Sequence, residues 1–150
     1  MKNILFIISI AIIIFSCKNE SKQSEEKTET KEERVLPKLE SNRYNVAFLI
    51  MDGTYNTELT APFDIFQHTI FREGIKAMNV FTVANTDEAI TTFEGMRIIP
   101  DFNYLTDDLP LIDILVVPSA ENHLGKDLED KAMINFVKQV DKEAKFITSH

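Results

Sequence analysis

The sequence has one cysteine, Cys17, and no tryptophan. A single thiol excludes an intramolecular disulfide framework. Glycine is scarce, with four residues, and neither a G-x-G-x-x-G nor a Walker-type loop occurs, so no nucleotide site is inferred. The three histidines do not recur with carboxylates or thiols at ligand spacing. His123 near Glu121 reads as polar loop, and no metal and no cofactor are expected. No apolar run reaches the roughly 20 residues of a comfortable membrane span.

What is present begins with MKNILFIISIAIIIFSC. Lys2 supplies a positive start, and Ile4 to Phe15 is apolar apart from Ser9, the length of a signal-peptide core. The run closes on Ile14-Phe15-Ser16-Cys17, which resembles a bacterial lipobox. Residues 1–17 are therefore expected to be a lipoprotein signal peptide, with lipidation at Cys17. The protein is expected to be exported and attached to a membrane through that lipid.

Lys18 to Arg34 holds no apolar residue, and eleven of its seventeen residues are charged. Such a stretch buries too little surface to offset its chain entropy, so 18–42 reads as a tether. The remainder, 43–150, reads as one domain. It holds 9 Lys/Arg and 17 Asp/Glu, which gives the whole net charge of −8. With no basic stripe, nucleic acid is not an expected partner.

The domain is organised around Tyr44 to Phe71. Val46 to Met51 is a continuous apolar run, as in a strand covered on both faces. Asp52-Gly53 ends it with turn chemistry. Leu59, Phe63, Phe66 and Ile70 then recur at helical spacing, with Gly74 as the stop. Met78 to Ala84 is a second strand. Thr92 to Pro100 reads as a short hairpin or a pair of extended pieces turning at Glu94-Gly95, and Asp101 to Leu111 as irregular or carrying a short helical turn. Asp113 to Val117 is a third strand, and Lys145 to Ser149 begins a fourth. Between them, Lys126 to Lys142 reads as a helix with Leu128, Ala132, Phe136, Val137 and Val140 on its apolar face. Asp127, Glu129 and Asp130 would fill its first turn. Phe63, Phe66, Phe71 and Phe81 read as core.

Strands alternating with helices imply an α/β fold with a parallel sheet. In such a sheet three strand ends share one edge: Asp52 to Glu58, Pro118 to His123, and Ser149-His150. Open α/β sheets bind ligands at that edge. On these residues alone Glu58 reads foremost as a first-turn carboxylate favoured by the helix dipole.

The pattern Asp52, Gly53, Glu58, Pro62, Asp64 after the first strand resembles the start of the ThiJ/PfpI family, within the class I glutamine amidotransferase-like superfamily. IDILVVPSAENH resembles its D-x-L-V-V-P-G-G segment, and AKFITSH resembles the strand leading into its nucleophile elbow. The resemblance implies a flavodoxin-like, amidotransferase-like sandwich, incomplete at the C-terminus. It implies that Glu58 faces an elbow cysteine, with backbone N–H groups near Ser119 and Ala120 as oxyanion donors and Asp52 and Gly53 lining the substrate position. Ser119-Ala120 stands where the family has Gly-Gly. The cysteine would follow His150; in another register Ser149-His150 is itself the elbow pair, which makes His150 a catalytic candidate. Chemistry of this type is a thiolate attacking a carbonyl, an isonitrile or an amide of a small molecule. The resemblance also implies a homodimer. Two readings follow: the first part of an exported cysteine enzyme, inactive as written, or a binding domain that keeps the cleft without the nucleophile.

Overall fold

A computed structural model describes residues 34–149. Cys17, His150 and the expected signal peptide lie outside the described residues. β1 (Tyr44–Leu49) leads to α1 (Asn56–Gln67) and β2 (Met78–Ala84). A small antiparallel pair, β3 (Ile90–Thr91) and β4 (Arg97–Ile98), precedes β5 (Phe102–Asn103). β6 (Ile114–Val117), α2 (Lys131–Val140) and β7 (Phe146–Ser149) follow.

Five strands form one parallel sheet in the order β5-β2-β1-β6-β7. This is a flavodoxin-like arrangement, and it puts the carboxyl ends of all five strands on one edge. The continuous apolar run of β1 is covered on both faces. Ala47 and Leu49 belong to a core with Phe81, Leu115 and Phe136 of α2. Val46, Phe48 and Ile50 belong to a second core with Leu59, and Phe63 and Phe66 of α1 pack against it. The Phe48 ring lies 5.2 Å from that of Phe63 and 6.1 Å from that of Phe66. Each fully buried side chain of this size contributes roughly 1.5–3 kcal/mol.

Several expectations change in detail. The α2 helix starts at Lys131 rather than Lys126. Asp130 is its cap, accepting from the N–H groups of Ala132 and Met133, and Lys126–Glu129 forms a separate 3-10 turn. Leu128 lies on that turn and is exposed instead of joining the apolar face. Ile70 and Phe71 leave α1 in a 3-10 turn, and Phe71, expected in the core, is 75% exposed. Inside the segment read as irregular, β5 adds an edge strand beside Val83 and Ala84. Its start is set by Asp101, whose carboxylate accepts from the Thr82 N–H at 2.7 Å and the Thr82 hydroxyl at 2.9 Å.

The last part of the expected tether, 34–42, is held against the domain. Leu39 packs on the α2-side core. Glu40 exchanges two hydrogen bonds with the Asn79 side chain, which in turn donates to Asn45.

At the amino edge of the sheet Asp113 ties three elements. Its carboxylate accepts from the Asn45 N–H at 2.9 Å and from the Lys145 ammonium. Burial pushes the Asp113 carboxyl up, but the Lys145 hydrogen bond, the Asn45 N–H and the Lys145 and Lys76 charges together outweigh it and hold it low.

Candidate active site

The carboxyl edge is assembled from two loops that lace together. After β1, Met51 to Thr54 makes a tight turn. The Thr54 hydroxyl donates to the Met51 carbonyl at 2.8 Å and accepts from the Met51 N–H at 3.1 Å. Gly53 completes the turn at φ +81°, where a side chain is strained. After β6, Ser119 to Glu121 runs antiparallel to this turn, with Thr54 opposite Ala120. Tyr55 N–H donates to Ser119 C=O at 3.0 Å, and Glu121 N–H to Gly53 C=O at 2.9 Å. The approach is close: a Cβ on Gly53 would lie 3.0 Å from the Glu121 Cβ.

Glu58 sits in the first turn of α1, directly above this junction. Its Oε2 accepts a hydrogen bond from the Ser119 N–H at 2.7 Å. The helix N-terminus favours the negative charge there. Pro62 has no N–H, so the Glu58 carbonyl lacks its usual donor one turn on.

The β3–β4 hairpin braces the same loop from the other side. Gly53 N–H donates to Thr91 C=O at 2.8 Å, and Asp52 Oδ1 accepts from Thr91 N–H at 2.8 Å. Phe93 N–H donates to Thr54 C=O at 3.1 Å. The Glu94 carboxylate accepts from the Asn56 N–H at 3.0 Å, doing at α1 what the Tyr55 side chain cannot. The Tyr55 and Phe93 rings meet edge to face at 5.1 Å.

The structure therefore brings Glu58, Ser119, Ala120 and Gly53 together, as the sequence places them. The parts they take are more specific. Ser119 gives its N–H to Glu58, and Ala120 is the other candidate donor. In this antiparallel pairing the Ala120 N–H points away from Thr54, and it makes no hydrogen bond among the described residues. Asp52 is exposed, and its carboxylate serves the hairpin. Asp64 pairs with His68 one turn on, away from the junction. The His123 ring bonds the Ala120 carbonyl, which holds it to the same loop. Sequence reasoning did not single out Glu94 for this site. Its partner lies 38 positions away, and only the hairpin turn at Glu94-Gly95 was legible.

Burial pushes the Asp127 carboxyl up on this edge, with the Lys126 and His123 charges opposing and the Asp130 charge adding to it. Among the described residues no group of three or more His, Cys, Asp or Glu side chains could hold a metal ion. Two depressions lie off the junction. One of about 1030 Å³ runs between α2 and residues 104–112. The other, about 700 Å³, is apolar and lies beside Leu59 and Phe63.

The profile of the DJ-1/PfpI family matches residues 44–149. The chain belongs to the DJ-1/PfpI family. A DJ-1 superfamily protein of Salmonella typhimurium is similar in structure, with a TM-score of 0.59 and 21% identity over 71% of this chain and 54% of that one. A ThiJ/PfpI family protein of Pseudomonas syringae gives 0.56 and 19% over 79% and 49%. DJ-1beta of Drosophila melanogaster gives 0.56 and 13% over 71% and 54%. At these identities the likeness carries the fold. The chain spans about half the length of the structures it matches. No curated protein sequence matches it.

Proposed function

We propose that this DJ-1/PfpI chain supplies the glutamate side of a cysteine-dependent site that acts on a small molecule. We also propose that the protein is exported and held to a membrane through a lipid on Cys17. The observation that carries the first part is the Glu58 carboxyl, fixed at 2.7 Å from the Ser119 N–H where the ends of β1 and β6 meet.

A thiol placed just beyond β7 would lie on the same carboxyl edge as Glu58, with β6 between β7 and β1. The neighbouring helix N-terminus favours a thiolate there, as does Glu58 when its carboxyl carries the proton and donates it to the sulfur, and the Ala120 N–H offers a donor to an oxyanion. The thiol must come from outside residues 1–150, because Cys17 is the only cysteine among them. The 150-residue chain alone is then inactive toward thiol-dependent substrates.

A second reading is a ligand-binding domain. It is favoured by the Glu58–Ser119 bond itself, since a carboxylate that accepts from a backbone N–H braces the two loops.

The test is to express the whole reading frame and assay carbonyl, isonitrile and amide substrates. Turnover lost on Glu58→Gln and on removal of the elbow thiol supports the enzyme. Ligand binding without turnover supports the binding domain. Mass analysis of Cys17 in cells tests the anchor.

A further inference from the structure

We propose that Arg34–Glu40 is a strap that brings the N-terminal extension back to the Glu58 edge, so that the bilayer holding Cys17 faces the site. The proposal rests on the lipid anchor proposed above and adds an orientation to it.

β1 begins at Tyr44, on the amino edge of the sheet. A tether joined there would put the site on the side away from the membrane. The chain before Tyr44 does not leave at that edge. Glu40 is held by Asn79, the second residue of β2, at the amino edge. Six residues earlier, Arg34 is held at the carboxyl edge. Its guanidinium bonds the Asp107 carboxylate, and Nη1 lies 3.1 Å from Asp87 Oδ1 as an ion pair outside hydrogen-bond geometry.

Both partners belong to the carboxyl edge. Asp87 follows the end of β2. Asp107 follows β5, and its carboxylate also accepts from the N–H of Asn103, the residue paired with Ala84 at the end of β2. Asn103 donates in turn to Asp87 at 3.2 Å, which joins the two carboxylates into one frame. The Arg34 side chain is only 22% exposed.

Residues 34–40 thus run the length of β2 in reverse, with Leu39 seated on the core beneath. The exit at β2 and β5 and the Glu58 junction between β1 and β6 are about two strand spacings apart, roughly 10 Å. Sixteen residues separate Cys17 from Arg34, so the two are at most roughly 60 Å apart along the chain. The edge attached to the anchor is the one drawn toward the bilayer, and that edge carries Glu58.

The test uses the full lipidated chain in phosphatidylethanolamine–phosphatidylcholine vesicles that contain a quencher lipid. A fluorophore is placed on Glu88→Cys at the carboxyl edge or on Glu73→Cys near the amino edge; both positions are exposed. With edges offset by roughly 20 Å, the ratio of quenching at 88 to quenching at 73 is expected to exceed one. Arg34→Ala moves the held part back to Leu39 and Glu40, so the ratio falls to one or below. Equal quenching in the parent protein, or a ratio unmoved by Arg34→Ala, overturns the strap while the protein still floats with the vesicles. Failure to float, or flotation unaffected by Cys17→Ser, overturns the anchor and the orientation built on it.

Discussion

Glu58 Oε2 and the Ser119 N–H, 61 residues apart in sequence, meet at 2.7 Å and join α1 to the loop after β6. A hydrogen bond to a charged acceptor stabilises by about 1.5–3 kcal/mol, and its loss strands a partly buried N–H. Glu58→Ala is expected to lower the unfolding free energy by about that amount in urea titration. Glu58→Gln keeps an acceptor oxygen at the same reach and is expected to cost about half as much. A Glu58→Gln cost near zero would mean that the carboxylate charge plays no part in the brace, and a cost equal to that of Glu58→Ala would mean that the charge carries all of it.

Gly53 and Gly95 both have positive φ, +81° and +89°, and differ in their surroundings. A Cβ at Gly95 meets nothing within 4 Å, whereas one at Gly53 meets Glu121 at 3.0 Å. Gly95→Ala is expected to cost the backbone strain alone, about 1–2 kcal/mol. Gly53→Ala is expected to cost more, because the lacing of the two loops must also open. Thermal melts of the two variants check the order.

The Asp113–Lys145 pair makes stability depend on pH at both ends of the scale. Asp113 is held below its ordinary value in the folded protein, so its contribution is full above the unfolded value of about 3.9 and is lost as pH falls through the lower folded value. Lys145 is raised, chiefly by its hydrogen bond to Asp113, so its contribution is full below about 10.4 and is lost as pH rises through the higher folded value. In Asp113→Asn both slopes are expected to flatten. Urea midpoints from pH 2 to 5 and from pH 9 to 12 check this; unchanged slopes would contradict it.

The parts of the fold that depend on runs of one residue class were legible. Val46 to Met51, Met78 to Ala84 and Ile114 to Val117 are apolar enough to mark buried strands, and Gly95 marks the hairpin turn. Parallel order then puts Glu58 and Ser119-Ala120 on one edge. What was not legible depends on single long-range bonds. Asp127, Glu129 and Asp130 look alike as first-turn acids, yet only Asp130 bonds the N–H groups of Ala132 and Met133. β5 exists because Asp101 and Asp107 satisfy the backbone around it. Arg34 belongs by composition to a charged tether, and among the described residues two carboxylate partners hold it to the domain. Phe71 is apolar at helical spacing, but α1 ends at Gln67 and turns it outward.

The proposed facing of Glu58 and a reactive thiol is tested most directly by the pH dependence of alkylation in the product of the whole reading frame. With the thiolate facing it, Glu58 is expected to carry the shared proton and donate it to the sulfur, so that a cysteine other than Cys17 has its reactivity midpoint below the ordinary thiol value of about 8.5 and the midpoint moves up in Glu58→Gln, a weaker donor. A product with no thiol but Cys17, or a midpoint that Glu58→Gln leaves in place, would contradict it.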